Sequence, residues 1–343
     1  MAFGQFIIAN QPKCGHHGRM KCIGPAKLEP IFLPKVWGGR NLERDLSIPL
    51  PKGEQIGEAW LLFDRVGESS KITDSTTTIS DWMKYDAASL LGPHCQPTPS
   101  GTFPLLLKYL DCAERLSVQC HPDDATAVLS NDLGKTEAWV VVGARPGGSL
   151  TYGFQPSVTK EMVLNALNTP EIEPLLQRYT PQVGDALLVP AGVVHSPGAG
   201  VTLFEVQQNS DLTFRLYDWG RDRELHLEEG AAALAVTHHN PIAIPTPCAE
   251  GGEILISSDL FSVRRLHLSE EPYTLHTNQR FLVLNPVRGT LSLIWTGDSG
   301  PETLALKSGE TAIIPACTEQ VTLHPSGEVV LLITGPGDKE PAT

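Results

Sequence analysis

Apolar residues occur along this chain mainly in short runs that are rich in branched side chains and are bounded by glycine or proline. Four of these runs span residues 105–110, 138–142, 186–189 and 201–206. Runs of this length between turn residues are typical of buried β-strands. The 31 glycines and 28 prolines supply many turn positions. The pattern therefore predicts a mainly β protein with few helices.

The periodicity changes in one stretch that lies between predicted strands. Residues 159–167 and 169–179 read as two short helices, and Thr169 and Pro170 give the second one an N-cap followed by proline at the first helical position. We therefore predict a small helical insertion at residues 159–179. A further helix is predicted upstream, with Ser80 as its N-cap.

Four polar residues stand at the ends of predicted strands. Gln119 and His121 are two residues apart, so both point to the same face of a strand. Glu137 opens the apolar run 138–142, and His195 follows a strand and a Pro-Ala-Gly turn. Two imidazoles, a carboxylate and an amide oxygen on neighbouring strands could converge on one divalent ion, which would satisfy polar groups aimed into a β-core. Hydrogen-bonded structural histidines are the alternative interpretation.

The C-terminal part repeats a segment of the N-terminal part. Residues 309–320 align without gaps on residues 184–195 and keep the glycine, the proline and the apolar positions, but Gln320 stands where His195 stood. Extending the comparison places Asn278 opposite Glu137, and residues 262–266 opposite residues 117–121. A repeat that keeps its turn residues and loses its candidate ligands predicts one β-barrel used twice, with the second copy catalytically empty.

The charge balance limits the possible partners. The chain of 343 residues carries a formal net charge of −13, which argues against nucleic acid or an anionic membrane surface as the partner. An anionic substrate would therefore need a local cluster of cations. Lys108 lies within the apolar run 105–110, where a lysine requires an anionic partner, either a carboxylate or a bound phosphate. Glu58, at the mouth of another predicted strand, is a candidate site residue, although such a carboxylate is by default simply solvated.

The cysteines and the hydropathy pattern bear on the compartment. Seven cysteines are scattered, odd in number and without a Cys-x-x-Cys pair, which indicates thiols in a reducing compartment rather than a disulfide framework. No apolar run approaches the length needed to span a membrane. We therefore expect a cytoplasmic protein without a membrane partner.

Eight motifs together resemble the type I mannose-6-phosphate isomerases, a family of zinc-dependent cupins, and in particular its shorter bacterial branch. They run in the family's order from Leu28 to about Arg223 and are KVWGG (35–39), GEAW (57–60), FPLLLK (103–108), VQCHP (118–122), GKTEAW (134–139), PAGVVH (190–195), QQNSD (207–211) and RLYD (215–218). The resemblance implies two cupin-type jelly-roll β-barrels, of which the second is degenerate.

The resemblance also implies the site and the reaction. Its zinc ligands, for one Zn²⁺ per chain, are Gln119, His121, Glu137 and His195. Its catalytic residues are Arg215 and Lys135, and its substrate-binding residues are Lys108 and Glu58. The implied reaction interconverts mannose 6-phosphate and fructose 6-phosphate through a cis-enediol. The alternatives are a cupin that senses sugar phosphates without catalysis, an enzyme acting on another sugar phosphate, and another metal cupin such as an iron dioxygenase.

The expected organisation has four parts. They are an N-terminal extension (1–26), a catalytic metal-binding domain (27–236) with the helical insertion, a linker (237–248) and a degenerate second β-domain (249–343). A small zinc knuckle formed by Cys14, His16, His17 and Cys22 is the alternative interpretation of the extension. We expect a monomer, because two barrels can cover each other's open faces.

Overall fold

The structure is a computed structural model that describes residues 24–130, 132–236 and 242–337. The predicted extension lies almost wholly outside the described residues, as do the four residues of the alternative zinc knuckle. The first half of the predicted linker lies outside them too. Within the described part, no helix is long and apolar enough to cross a membrane.

Two units of antiparallel strands follow one another along the chain. The strands up to the end of the first unit are β1 (Ala26–Leu28), β2 (Ile31–Gly39), β3 (Ile56–Leu62), β4 (Asp64–Arg65), β5 (Glu68–Ser69), β6 (Leu105–Cys112), β7 (Val118–Cys120), β8 (Glu137–Ala144), β9 (Leu150–Phe154), β10 (Leu176–Tyr179), β11 (Ala186–Val189), β12 (His195–Pro197), β13 (Val201–Gln208) and β14 (Phe214–Tyr217). Those of the second unit are β15 (Thr246–Pro247), β16 (Glu253–Ser257), β17 (Phe261–Leu268), β18 (Tyr273–His276), β19 (Leu282–Arg288), β20 (Thr290–Gly297), β21 (Gly300–Lys307), β22 (Thr311–Ile314), β23 (Gln320–Pro325) and β24 (Val329–Pro336).

The helices of the described chain are short and belong to the first unit. They are α1 (Asn41–Leu46), α2 (Ile79–Leu91), α3 (Asp124–Ala127), α4 (Lys160–Ala166) and α5 (Leu227–Ala233), with 3₁₀ turns at Val128–Ser130 and Pro170–Leu175. Two helix predictions need correction. The N-cap of α2 is Thr78 rather than Ser80, because Thr78 forms a reciprocal capping box with Asp81. The second helix of the insertion is a 3₁₀ turn that ends at Leu175, and the residues after it form strand β10.

Each unit consists of two sheets. In the first unit the strand orders are β11-β8-β13-β6-β3-β2 and β10-β9-β12-β7-β14, and in the second they are β1-β22-β19-β24-β17-β16-β15 and β18-β23-β20-β21. The two units share the same order of corresponding strands, which confirms the prediction of a mainly β chain that uses one jelly-roll architecture twice.

The strand register confirms one part of the predicted repeat and corrects another. Strands β11 and β22 are equivalent, as are the starts of β12 at His195 and β23 at Gln320. However, Val189 pairs with Glu137 in the first unit, whereas the equivalent Ile314 pairs with Leu282 in the second. The counterpart of Glu137 is therefore Leu282.

The predicted equivalence of residues 262–266 with 117–121 is also wrong. His195 pairs with Gln119, and its counterpart Gln320 pairs with His276, so the counterpart of β7 is β18. The alignment of these residues is wrong because the connection that follows β7 carries α3 and is much longer than the turn that follows β18.

The main apolar core lies between the two units. It contains side chains from the first unit, such as Leu107 and Phe204, and from the second, such as Phe281 and Leu332, all almost completely buried. The first described strand also joins the units, since Ala26 in β1 pairs with Ile313 in the sheet of the second unit. The second unit thus covers the outer face of the sheet whose inner face carries the site.

Candidate active site

The four predicted metal ligands are brought together at one end of the first unit. Gln119 lies in β7, and its Cα pairs with that of His195 at the start of the neighbouring strand β12. His121 follows β7 directly, and Glu137 is the first residue of β8 in the facing sheet. The short strands β7 and β12 place their polar residues where the two sheets meet, so residues far apart in the chain become neighbours.

The ligand atoms converge closely. Glu137 Oε2 lies 3.4 Å from His121 Nε2, and Glu137 Oε1 lies 3.3 Å from His195 Nε2. The side-chain nitrogen of Gln119 lies 3.3 Å from His195 Nε2. A backbone carbonyl on the side away from Glu137 orients each imidazole. The Nδ1 of His121 bonds the carbonyl of Leu212 at 2.8 Å, and the Nδ1 of His195 bonds that of Val193 at 2.9 Å. Backbone carbonyls thus place the proton of each ring on Nδ1 and leave both Nε2 atoms free to bind a metal.

These residues fit a divalent metal ion. His121 Nε2 and both carboxylate oxygens of Glu137 are buried and have no hydrogen-bond partner among the described residues. Buried polar atoms without partners are costly, and a shared cation would satisfy all of them. His121, Glu137 and His195 each offer one ligand atom, and these three atoms lie within 4.8 Å of one another. Turning the Gln119 amide would present its oxygen as a fourth ligand, since the two amide orientations are interchangeable.

The electrostatics keep these groups in the protonation states that a metal needs. Burial, together with the ammonium of Lys135, lowers the pKa of His121 to about 3 against the opposing effect of Glu137. Burial also lowers the pKa of His195. Burial raises the pKa of Glu137, but Lys135, whose Nζ lies 3.4 Å from Oε2, and the two histidines together outweigh burial, so the net shift of the pKa is downward. Neutral imidazoles and an ionised carboxylate are the forms that bind metal.

A cavity of about 430 Å³ opens next to this cluster. Its charged lining includes all four of the predicted catalytic and substrate-binding residues, and further cations. The lining residues with charged side chains are Lys35, Glu58, Lys108, Lys135, Glu205, Asp211, Arg215, Arg223 and Glu229. The structure therefore brings the predicted pocket residues and the ligand cluster into one site.

Lys108 and Glu58 form part of a buried chain of charges on the wall of the cavity. The Nζ atom of Lys108 lies 2.9 Å from Glu205 Oε1 and 3.8 Å from Glu58 Oε2. Burial raises the pKa of Glu58, but Lys108, Lys35 and a hydrogen bond from Trp60 outweigh burial and lower the pKa to about 2. Burial lowers the pKa of Lys108, but its two carboxylate neighbours raise it well above its usual range. Both groups are therefore ionised at neutral pH.

Arg215 lies on β14, and its Cα pairs with that of Gln119. Its guanidinium is half-buried in the cavity wall, with one Nη1 bond to the carbonyl of Glu224 and an unpartnered, buried Nε. Burial and the nearby Arg223 lower the pKa of Arg215. No carboxylate lies within ion-pair distance of this guanidinium among the described residues, so Arg215 can still take an anionic partner.

Glu205 is a buried pocket residue that was not predicted from the sequence. This residue is 3% exposed, and its side chain pairs with Lys108 and accepts a hydrogen bond of 2.9 Å from Trp139 Nε1. The sequence does contain a signal for Glu205. A lone carboxylate in the apolar run 201–206 requires a partner of opposite charge, just as the lysine in the run 105–110 does. Lys35, Ser117, Arg223 and His226 also line the cavity and were not predicted there.

The family models match both units of the chain. Residues 26–137 match the catalytic domain of type I phosphomannose isomerase, and residues 252–333 match the cupin domain of mannose-6-phosphate isomerase. The first match includes three of the four predicted ligands. The second match covers the second unit, in which other residues stand at the positions equivalent to the candidate ligands.

Full-length relatives decide the family. The chain is 31% identical over 307 residues to the mannose-6-phosphate isomerase of Streptococcus mutans, with 84% of this chain and 92% of that protein covered. The chain belongs to the type I phosphomannose isomerase family. It is also 30% identical over 310 residues to mannose-6-phosphate isomerase ManA of Bacillus subtilis, covering 85% of this chain and 93% of that protein.

Solved structures agree with this assignment to the phosphomannose isomerases. The mannose 6-phosphate isomerase from Bacillus subtilis superposes with a TM-score of 0.80 at 28% identity, covering 91% of this chain and 99% of that one. A variant of phosphomannose isomerase from Salmonella typhimurium gives 0.75 at 18% identity over 92% of this chain and 100% of that one. The second likeness shows the shared fold, and with the cupin-domain match it supports the predicted pair of cupin-type jelly rolls.

Proposed function

We propose that this type I phosphomannose isomerase interconverts mannose 6-phosphate and fructose 6-phosphate through a cis-enediol, using one zinc ion per chain. The observation that supports the proposal is the buried cluster of His121, Glu137 and His195, which contacts Lys135 in the wall of a cavity lined by lysine and arginine. The ligand cluster suits a divalent metal, and the cations suit an anionic substrate on an otherwise acidic chain.

Zinc would be held by His121, Glu137, His195 and the turned amide of Gln119. Two nitrogen ligands, a carboxylate and an amide oxygen form a mixed set that zinc accepts. When bound there, the ion would supply Lewis acidity that polarises the carbonyl and hydroxyl oxygens of the open-chain sugar.

The chain's own residues would supply the remaining chemistry. Converting the aldose into the ketose removes the proton from C2 and returns a proton to C1, so negative charge develops on the oxygens of both carbons. Arg215, which has no carboxylate within ion-pair distance in the described part of the chain, would stabilise that charge. Lys135, already 3.4 Å from Glu137, would shuttle a proton between the two oxygens.

Lys108 and Glu58 would bind and orient the substrate. Because each is held by a buried partner of opposite charge, their positions are fixed before the substrate arrives. Fixed dipoles and charges of this kind need no rearrangement during the reaction. The surrounding tryptophans, Trp37 and Trp139, would exclude water from the inner end of the cavity.

We also propose that the protein acts as a monomer. The two units bury the outer faces of their larger sheets against each other, so the largest apolar surface is already covered within one chain. Sedimentation velocity at several protein concentrations tests this proposal, and a concentration-dependent dimer would contradict it.

The reaction is tested with purified protein and mannose 6-phosphate, measuring fructose 6-phosphate before and after chelation and after adding zinc back. Turnover that chelation abolishes and zinc restores is the expected result. Glucose 6-phosphate under the same conditions serves as the comparison substrate. Stoichiometric zinc without turnover of either substrate would contradict the proposed activity and favour a sensing function.

A further inference from the structure

His226 is bound to both backbone groups of Arg215. Its N–H donates to the Arg215 carbonyl at 2.9 Å, and its ring Nδ1 accepts the Arg215 N–H at 3.3 Å. Strand β14, which carries Arg215, is the outermost strand of its sheet, so these groups face away from the neighbouring strand. His226 thus acts as a one-residue extension of the sheet and fixes the backbone of Arg215 from outside.

This contact determines which ring nitrogen of His226 can donate. A neutral imidazole has one donor and one acceptor nitrogen, so an Nδ1 that accepts the Arg215 N–H leaves the proton on Nε2. The described residues provide no hydrogen-bond partner for Nε2, and this atom is not one of the buried unpartnered atoms. The half-buried ring lines the catalytic cavity. An unused N–H donor is therefore available to a molecule in that cavity.

The position of His226 relative to the metal cluster suits the far end of a sugar phosphate. His195 pairs with Gln119, Gln119 pairs with Arg215, and His226 bonds Arg215 from the next position outward. With strands about 4.8 Å apart, His226 lies roughly 10 Å from Gln119 along this row. In a hexose 6-phosphate the reacting C1 and C2 and the phosphate are at opposite ends of the carbon chain.

The charges around His226 point to an anion. Arg223 and Arg215 both line the cavity that His226 lines, and Arg223 is joined to Asp218 by two hydrogen bonds of 2.6 and 2.7 Å. Arg215 keeps its buried Nε unpartnered. We propose that His226 is a further substrate-binding residue, whose Nε2–H donates to the phosphate group of the substrate on the side of Arg215 that is away from the metal cluster. This inference rests on the proposed sugar phosphate activity.

Two amide variants separate the two nitrogens of the ring. In His226→Asn the side-chain oxygen can still accept the Arg215 N–H, but no donor reaches the former position of Nε2. In His226→Gln the amide nitrogen can reach that position. Because a hydrogen bond to a charged group is lost, we expect His226→Asn to raise the KM for mannose 6-phosphate by about tenfold or more, with a smaller effect on kcat. We expect His226→Gln to recover part of the loss.

A second measurement does not depend on turnover. The binding of inorganic phosphate to wild-type protein and to both variants is measured by calorimetry, and His226→Asn should weaken it to a similar extent. The exposed His267, changed to asparagine, is the matched control and should leave KM and phosphate binding unchanged. Zinc content and thermal unfolding of each variant show whether the fold is retained.

The outcomes distinguish this inference from the proposed function. A folded His226→Asn protein with wild-type KM and wild-type phosphate binding would overturn the role of His226 while leaving the isomerase activity intact. A wild-type protein that binds phosphate through His226 but does not turn over mannose 6-phosphate would instead overturn the proposed function. Loss of thermal stability alone, without a change in KM or phosphate binding, would reduce His226 to a structural residue.

Discussion

Lys108 and Glu205 face each other across the neighbouring strands β6 and β13, and their Nζ and Oε1 atoms are 2.9 Å apart. Both side chains are nearly inaccessible, at 6% and 4% of their surface. In the flanking strands, Trp60 of β3 pairs with Lys108 and Trp139 of β8 pairs with Glu205. The two charged residues therefore lie at the centre of a row of four residues across four strands. An apolar sheet thus contains a fixed ion pair on the face that lines the catalytic cavity.

We predict strong energetic coupling between these two residues. Lys108→Met leaves the buried Glu205 without its cation and Glu58 with Lys35 alone, and should lower the free energy of unfolding by about 3–5 kcal/mol. The double variant Lys108→Met, Glu205→Gln should recover part of that loss, because one uncompensated charge is removed as well. Urea unfolding of the four proteins in this cycle measures the coupling.

The exposed pair Arg288 and Glu328, 3.3 Å apart, is the matched control. The same substitutions there should change the stability by less than about 1 kcal/mol. Additive effects of the Lys108 and Glu205 substitutions would contradict the coupling and show that each charge is compensated independently.

Arg215 should act on the reaction rather than on the fold. Arg215→Ala removes a donor from the developing negative charge, so we expect kcat to fall by about 100- to 1000-fold. Arg215→Lys should retain a small part of the kcat that Arg215→Ala loses, because lysine supplies the positive charge but not the planar guanidinium. Near-normal isomerase activity in a folded Arg215→Ala protein would show that the assigned role is wrong, and Arg288→Ala, on the exposed surface, is the control.

The metal cluster predicts coupled losses of zinc and stability. Removing both imidazoles in His121→Ala, His195→Ala should abolish stoichiometric zinc binding, measured by elemental analysis of the purified protein. Chelation of the wild type should lower its stability, by about 2.7 kcal/mol if zinc had been present at a hundred times its Kd. His267→Ala, in the second unit, should retain its zinc. A double variant with a full equivalent of zinc would exclude the proposed ligand set.

The fold and the positions of the candidate ligands could be predicted from the sequence because both depend on local pattern. Short β-branched runs predicted the strands, and Glu137 was placed correctly at the start of β8 because the apolar run begins directly after it. The repeat was correct from Gly184 to His195, where both units keep the same turn. It failed at Glu137, whose counterpart is Leu282, because the connection between β8 and β9 is longer than the single residue between β19 and β20.

The partners of the pocket residues could not be read from the sequence. Lys108 required an anion, but only the pairing of β6 with β13 identifies that anion as Glu205. The position of His226 depends on the fold of the segment between β14 and α5, and no periodicity connects it with Arg215. Contacts across sheets and loops are set by tertiary packing, which leaves little trace in the local pattern.

The depressed pKa of Glu58 predicts a loss of stability in acid. In the folded protein the pKa is about 2, against a reference of 4.5. Between these two values the unfolded chain binds a proton that the folded chain does not, so stability falls as the pH falls. The contribution, of about 3 kcal/mol, is fully present above pH 4.5 and is lost as the pH approaches 2.

Comparing wild type with Glu58→Gln isolates this contribution, because glutamine does not titrate. Urea unfolding of both proteins, without metal, should show a constant difference between pH 7 and about 5 and a shrinking one below about 4.5. Glu54→Gln, at an exposed position, should follow the wild type throughout. A difference in stability between wild type and Glu58→Gln that stays constant down to pH 3 would mean that Lys108 and Lys35 do not hold Glu58 in its ionised form. The buried chain of charges would then lack its outer carboxylate.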